Sequence, residues 1–385
     1  MSDVTTAAII GGGIGGLTTA LALHNIGIKA TVYERADTFS AVGAGISLWP
    51  NATRILQDLG VLGALLPKAG RIVALNVKDA KRHVLLRSET NQQELPSLCI
   101  YRPDLIEALR VAMPPHTCRT GHTLQALEDD GEAVQLEFAG GKTATADIVI
   151  GADGIRSTVR NLLFASVTPK DDAPVYRGYP VWRGIAPLPA SFVAGEISET
   201  WGGNQRFGLL DVGEGRAYWY ATAPRPEMQQ ANVQTADERK REVLTAFADW
   251  HAPIPEVIET TPADALLRSD TYDRLPKQGW SRGRVVLLGD AIHATTPNLG
   301  QGGCMAIEDA VVLARYLTAH PYREAFQRYE DARYKRTSDI TTESLWIGRL
   351  GLASGVLGWL RNMATKFTPN KLYEQRAKRV HDYVA

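Results

Sequence analysis

Hydrophobic and polar positions change period several times along this 385-residue chain. Near the start, Ala7-Ala8-Ile9-Ile10 is a short apolar run that stops at a glycine cluster. Ile14 to Ile26 then carries apolar residues at helical spacing, Gly27 stands where a helix C-cap belongs, and Lys29 to Glu34 alternates like a strand. This order predicts a βαβ unit, and with it a parallel sheet. Two later apolar runs, Ala146-Asp-Ile-Val-Ile-Gly-Ala-Asp153 and Arg284-Val-Val-Leu-Leu-Gly-Asp290, also end at a glycine and an aspartate. After the second, a Gly/Pro-rich loop gives way to helical periodicity from Met305 to Leu317. Three separated segments are therefore expected to feed one sheet.

The middle of the chain has another character. Residues 176–220 hold nine of the chain's 29 aromatic residues, with turn residues between alternating runs such as Arg216-Ala-Tyr-Trp-Tyr-Ala-Thr222. This predicts an antiparallel sheet inserted into the α/β domain, its aromatic face serving either as core or as a pocket wall. From Tyr322 onward the pattern is helical, and the apolar, glycine-interrupted stretch Leu345 to Leu360 is open to three uses: packing on its own domain, on a second subunit, or on a membrane surface.

Composition narrows the function. Lys+Arg and Asp+Glu both number 42, so no global field favours nucleic acid. Three cysteines (Cys99, Cys118, Cys304), widely spaced and without a CxxC pair, fit a reducing compartment, and the expected location is cytoplasmic. The N-terminus lacks the basic and apolar regions of a signal peptide, and no apolar stretch is long enough to span a membrane. No cluster has metal-ligand spacing and no GxSxG occurs.

Chemistry concentrates where the runs end. Gly11, Gly13 and Gly16 satisfy GxGxxG between a strand and a helix, with Ile14 and Gly15 opening that helix; backbone N–H groups there suit a pyrophosphate. Glu34 ends the next strand at the distance where a carboxylate accepts ribose hydroxyls, which favours FAD or NAD over NADP. Asp290 and Asp153 each stand at a strand's carboxyl end, as a ribose or ribitol contact or as an N-cap for the turn that follows, and Arg156 adds a candidate phosphate contact.

Together, Gly11 to Gly16 with Glu34, Gly151-Ala-Asp-Gly-Ile-Arg-Ser157, and the segment Gly289 to Asp309 resemble the three fingerprints of single-component FAD-dependent aromatic hydroxylases. That group includes 4-hydroxybenzoate, salicylate, 6-hydroxynicotinate and urate hydroxylases, and the resemblance runs to about residue 335. It implies a Rossmann-like, glutathione-reductase-like FAD-binding domain with an interleaved, mostly antiparallel substrate sheet and C-terminal helices. The expected division is 1–76, 100–172 and 268–337 for the FAD domain, 77–99 and 173–267 for the substrate domain, and 338–385 for the helical segment. It also implies non-covalent FAD, NADH or NADPH as a transient co-substrate, O2, and hydroxylation of a small aromatic or N-heteroaromatic compound through a flavin hydroperoxide in a closed apolar pocket. The assembly would be a monomer or homodimer. No second GxGxxG is present for a resident nicotinamide domain, and the thioredoxin-like domain of the larger phenol hydroxylases is absent, so the reductant would dock transiently. The same chemistry on a polyketide, terpenoid or antibiotic is one alternative, and a non-catalytic FAD-binding protein is another.

Residue by residue, the resemblance assigns Glu34 and Arg35 to the adenosine ribose and Leu124 to the adenine end. It assigns Arg102 to the flavin side, where a surface salt bridge is the competing use, Asp153 to a position near FAD and NAD(P)H, and Asp290 to the ribitol. The turn of Pro297 with Gly300 and the following Gly302 and Gly303 would bring the glycines' backbone N–H groups to the flavin ring. Gly43 to Ser47, with Gly45, matches a loop tied to flavin movement, or is an ordinary tight turn. Arg206 and Tyr218, on adjacent expected strands, match substrate-facing residues of urate hydroxylases. Those enzymes carry an acid after the Thr-Thr-Pro triplet where this chain has Asn298, which argues against urate itself. His293 is a general base or a structural residue, and Cys304 is expected to be a buried thiol.

Overall fold

The computed structural model describes residues 3–39, 43–89, 95–164, 172–228 and 234–385. The three apolar runs do meet in one sheet. Its central strands are Ile148–Gly151, Thr6–Ile10 and Lys29–Tyr33, with Val285–Leu287 beside the first and Cys118–Arg119 beside the last, all parallel. Every residue of Ile148–Gly151 and Val285–Leu287 is buried, under helices and under a three-stranded antiparallel sheet of Leu124–Asp129, Val134–Phe138 and Lys142–Ala146, whose Phe138 ring meets Tyr33. One of them is the helix Ile14–Asn25, which ends as the sequence predicts, with Gly27 at φ 83°.

The aromatic segment forms a seven-stranded sheet, in spatial order 267–273, 175–187, 216–222, 205–211, 196–202, 74–79 and 84–89. Its pairings are antiparallel except for Glu196–Gly202 against Ala74–Asp79, which run parallel. Strand Leu267–Asp273 extends this sheet past residue 267, since its register pairs it with Val175–Pro187. One face of the sheet forms a separate apolar core around Trp182, Phe207, Trp219 and Phe247. Part of the aromatic content is thus plain core.

A smaller sheet of Gly45–Leu48, Ser97–Tyr101 and Gly70–Ile72 lies between the two. The long helix Tyr322–Gly351 crosses both halves of the molecule, and the helices Gly355–Phe367 and Asn370–His381 follow it.

Candidate active site

The crevice begins where Gly11 meets the Ala146–Asp153 run. A Cβ on Gly11, at φ 111°, would stand 2.4 Å from the Ala152 carbonyl oxygen, so only glycine lets the two loops touch. Gly13 precedes the helix Ile14–Asn25 without a side-chain cap, and a Cβ there would meet nothing within 4 Å. The start of that helix therefore borders open space and has no capping side chain, which fits a pyrophosphate. Gly15 packs on Leu288 and Ala306, and Gly16 on the Gly11 carbonyl, so both set the approach of the helix.

Glu34 sits at the end of the second strand. Its Oε2 accepts from the Gly12 N–H at 2.8 Å and its Oε1 from the Ala36 N–H at 3.0 Å, which fixes the carboxylate beside the glycine loop with lone pairs to spare. Its carbonyl accepts from the His122 N–H at 2.9 Å, which brings Leu124, buried at the start of its strand, to the same end of the crevice. Arg35 is exposed next to it.

At the other end, Asp290 and Arg102 share an unusual state. Both side chains are solvent-exposed, yet surrounding protein desolvates both: burial raises the pKa of Asp290 and lowers that of Arg102, and each partly offsets the other's shift. Among the described residues neither makes a salt bridge or a side-chain hydrogen bond. Charged groups lining a narrow open cleft behave this way, and the cleft runs toward Glu34, whose charge Arg102 also feels. The donor set, two carboxylates, a guanidinium and uncapped helix N-termini, fits FAD.

Asp153 is engaged locally. Its oxygens accept from Ser157 Oγ at 2.5 Å and from the N–H groups of Thr158 and Val159 at 2.7 and 3.1 Å, organising the turn into the helix Thr158–Leu163. Burial raises its pKa against these hydrogen bonds. Arg156 lies 5.9 Å over the Tyr272 ring of the large sheet, an arrangement that does not depend on a phosphate.

The turn bearing Asp290 rests on a buried charge cluster that pattern reasoning missed. Asp309 accepts from the Gly289 N–H at 3.1 Å, from His293 Nε2 at 2.6 Å and from Arg333 Nε at 2.7 Å. Burial drives its pKa up, but His293 and Arg333 overcome this and hold it at about 2. Glu308 pairs with Arg333 and Arg336 and accepts from Asn51. His293 is thus held in this cluster by Asp309. Cys304 is buried, with its thiol pushed up to about 12 by desolvation.

The Asp290 end of the crevice is where three sheets meet. Arg102 donates its N–H to the Ala44 carbonyl at 3.0 Å, and Gly45 pairs with Tyr101. A Cβ on Gly45 would come within 2.4 Å of the Tyr218 ring, so the ring lies flat on the backbone of this strand. Pro297 begins the short turn Pro297–Leu299, which Gly300 closes at φ 60° facing Trp49. Gly302 and Gly303 open the uncapped helix Gly302–Ala319 beside Asp290 and Ile46. Cofactor and substrate candidates are thereby brought together at Tyr218.

Sheet register sets which side chains of the large sheet share a face. Arg206 and Tyr218 do lie on neighbouring strands, but Arg206 faces Thr222 and Tyr218 faces Leu210, which leaves them four positions apart along the strands. Tyr220 stands between them on the same face, in a row with Arg183, Gly208 and Glu199. Because Gly208 has no side chain, the Tyr220 ring lies across it and donates to Glu199 Oε2 at 2.8 Å. Glu199 Oε1 accepts from Arg206 Nε at 2.6 Å and Trp201 Nε1 at 2.6 Å. Burial alone would raise the Glu199 pKa, but the Arg206 charge and the hydrogen bonds from Arg206, Trp201 and Tyr220 outweigh it and lower the value, so the carboxylate stays ionised. Arg206 Nη1 also donates to Asn298 Oδ1 at 2.7 Å. The Asn298 amide donates in turn to the Tyr179 hydroxyl, Thr296 Oγ1 and the Ser344 carbonyl. Tyr218 is fully desolvated, which pushes its hydroxyl up to about 12 against the nearby charge of Arg183.

A parallel sheet with a glycine-rich first turn, a crevice with unpaired charges and a large second sheet closing its Asp290 end are the build of a flavoprotein. Comparison with known proteins agrees. The family described as "FAD binding domain" matches residues 4–344. Aurachin C monooxygenase/isomerase of Stigmatella aurantiaca is 37% identical over 98% of both chains. 6-Hydroxynicotinate 3-monooxygenase of Pseudomonas fluorescens is 33% identical over 90% of this chain and 93% of its own. Klebsiella pneumoniae HpxO, solved with FAD and uric acid, superposes with a TM-score of 0.89 at 26% identity, covering 98% of this chain and 96% of that one. The chain belongs to the single-component FAD-dependent aromatic hydroxylases and is an FAD-dependent monooxygenase. Among the described residues no helix is long and apolar enough to cross a membrane, and no group of side chains could hold a metal ion.

Proposed function

We propose that the enzyme inserts one oxygen atom of O2 into a small, neutral, electron-rich aromatic or N-heteroaromatic ring, with NADH or NADPH as the transient reductant. The overall balance is ring–H + NAD(P)H + H+ + O2 → ring–OH + NAD(P)+ + H2O. FAD, when bound, supplies the O2 activation and the oxygen transfer.

Glu34 would hold the adenosine ribose, Asp290 the ribitol, and the N–H groups of Gly302 and Gly303 the ring edge. Tyr218 keeps its proton at neutral pH, so it acts as a donor to a ring oxygen or nitrogen and not as a base. The observation that carries the choice of a neutral ring is the Glu199–Arg206 pair. The buried guanidinium already has a carboxylate at 2.6 Å and an amide oxygen at 2.7 Å, so an anionic ring would find its charge matched internally. Asn298 supplies no carboxylate to remove a substrate proton, which favours a ring that reacts without prior deprotonation by the protein.

The test is FAD-reconstituted enzyme in air with neutral phenols, hydroxypyridines and quinoline-type rings against benzoates and urate. Neutral rings should stimulate NAD(P)H consumption and gain one atom of label from 18O2. A benzoate or urate as the best-coupled substrate would overturn the proposal.

A further inference from the structure

The helix Gly355–Phe367 is built inside out. The residues it turns to the protein are small or polar: Gly358, Arg361 and Thr365. Arg361 donates to the carbonyls of Leu350, Gly351 and Ala353, capping the preceding helix, and lies 4.9 Å over the Trp201 ring. Its apolar residues face water, with Val356 at 74%, Leu357 at 70%, Phe367 at 69% and Trp359 at 60% exposure. Trp346 and Leu350 from the end of the long helix, and Leu372 from the next one, are also exposed. A surface helix normally turns its apolar stripe to the core, and soluble monomers seldom leave such a contiguous patch open.

Charge identifies what covers it. From 349 to 381 the chain carries Arg349, Arg361, Lys366, Lys371, Arg376, Lys378 and Arg379 against one acid, Glu374, although the whole chain is balanced. Arg376 and Arg379 pair with Glu343, and Arg361 is held by carbonyls. Arg349, Lys366, Lys371 and Lys378 remain exposed on the same segment as the apolar side chains. Apolar side chains with tryptophans, bordered by cations, are the composition of a helix lying in a lipid interface. A second copy on the same face about a twofold axis would set these cations against their own images without acids to pair them.

We propose that this face docks on an anionic lipid surface, with the helix Gly355–Phe367 in the interface plane. Docking there would bring the substrate pocket close to the lipid. The helix end that shows Trp346 and Leu350 outward packs Gly348 and Gly351 inward against Asn298 and Arg206.

The experiment is co-sedimentation of the full-length, FAD-loaded enzyme with phosphatidylcholine vesicles, with and without about one third phosphatidylglycerol. Partitioning should be about tenfold higher on the anionic vesicles. The double change Leu357→Glu with Trp359→Glu should remove it while flavin absorbance and circular dichroism are retained. Lys366→Glu with Lys371→Glu should abolish the anionic preference. The proposal is overturned if the enzyme stays in the supernatant with both vesicles, or if the glutamate pair binds as well as the parent. It is equally overturned if sedimentation velocity shows a dimer in place of vesicle binding that the same pair dissociates.

Discussion

The glycine-loop crevice and the wall formed by the large sheet adjoin at Tyr218 but treat their charges in opposite ways. In the crevice, Asp290 and Arg102 are exposed, desolvated and hydrogen-bonded to no described side chain. On the wall, Arg206 and Glu199 are buried, paired with each other and hydrogen-bonded by Asn298, Trp201 and Tyr220. A site for one fixed, polyanionic ligand keeps its polar groups free until that ligand arrives. A site that must hold a ring away from water instead neutralises its own charges and selects by shape.

Breaking the crevice should have the largest effect. Gly11→Val puts a side chain into the Ala152 carbonyl at a φ that suits only glycine, and purified protein should lose bound flavin almost completely, read as absorbance near the flavin bands. Breaking the wall comes next. Glu199→Ala leaves a buried guanidinium without its counter-charge and should cost about 3–5 kcal/mol of stability in denaturant unfolding; a change below about 1 kcal/mol would mean the pair is solvated. Asp290→Ala should be milder and of another kind. FAD affinity should fall by about 1.5–3 kcal/mol in a fluorescence titration, with apoprotein melting nearly unchanged, because the carboxylate supports no internal hydrogen bond among the described residues.

Acid should act through Asp309. Its folded pKa of about 2 lies below the ordinary 3.8, so the stability it contributes is complete above about pH 4 and is lost as pH falls toward 2. Replacing Asp309 with Asn should flatten that limb of the stability profile. The smallest effect is expected from Asn298→Asp, which adds an acid beside an arginine that already has one. Urate-stimulated NAD(P)H consumption should change by less than about threefold, and a large gain would show that the missing carboxylate at 298, not the Glu199–Arg206 pair, is what disfavours urate.

The two regions also differ in how far the sequence discloses them. Gly11 to Gly16, Glu34 and Asp290 are legible because each sits at the end of a periodic run, and a strand's carboxyl end is where an open parallel sheet binds ligands. The three runs pair as expected for the same reason. Glu199, Tyr220 and Arg183 were not legible as a site. They become one row only through the registers of four strands, and no local pattern states a register. The only local hint was Gly208, a glycine inside the apolar run Phe207 to Leu210, which marks a close approach. His293 and Asp309 likewise show their pairing only once the helix Gly302–Ala319 folds back under the turn. The inside-out helix was visible as an apolar stretch, but which side faces water depends on Arg361 reaching the carbonyls of the helix before it.

Gly351 gives the wall a further property. A Cβ there would stand 2.5 Å from Arg206 Cδ, so the backbone of the long helix presses directly on the arginine stem and closes off its other rotamers. The guanidinium is therefore a fixed template whose ordering was complete on folding. A ring that fits it loses only its own freedom on binding, and one that does not fit cannot recruit the arginine by induced adjustment.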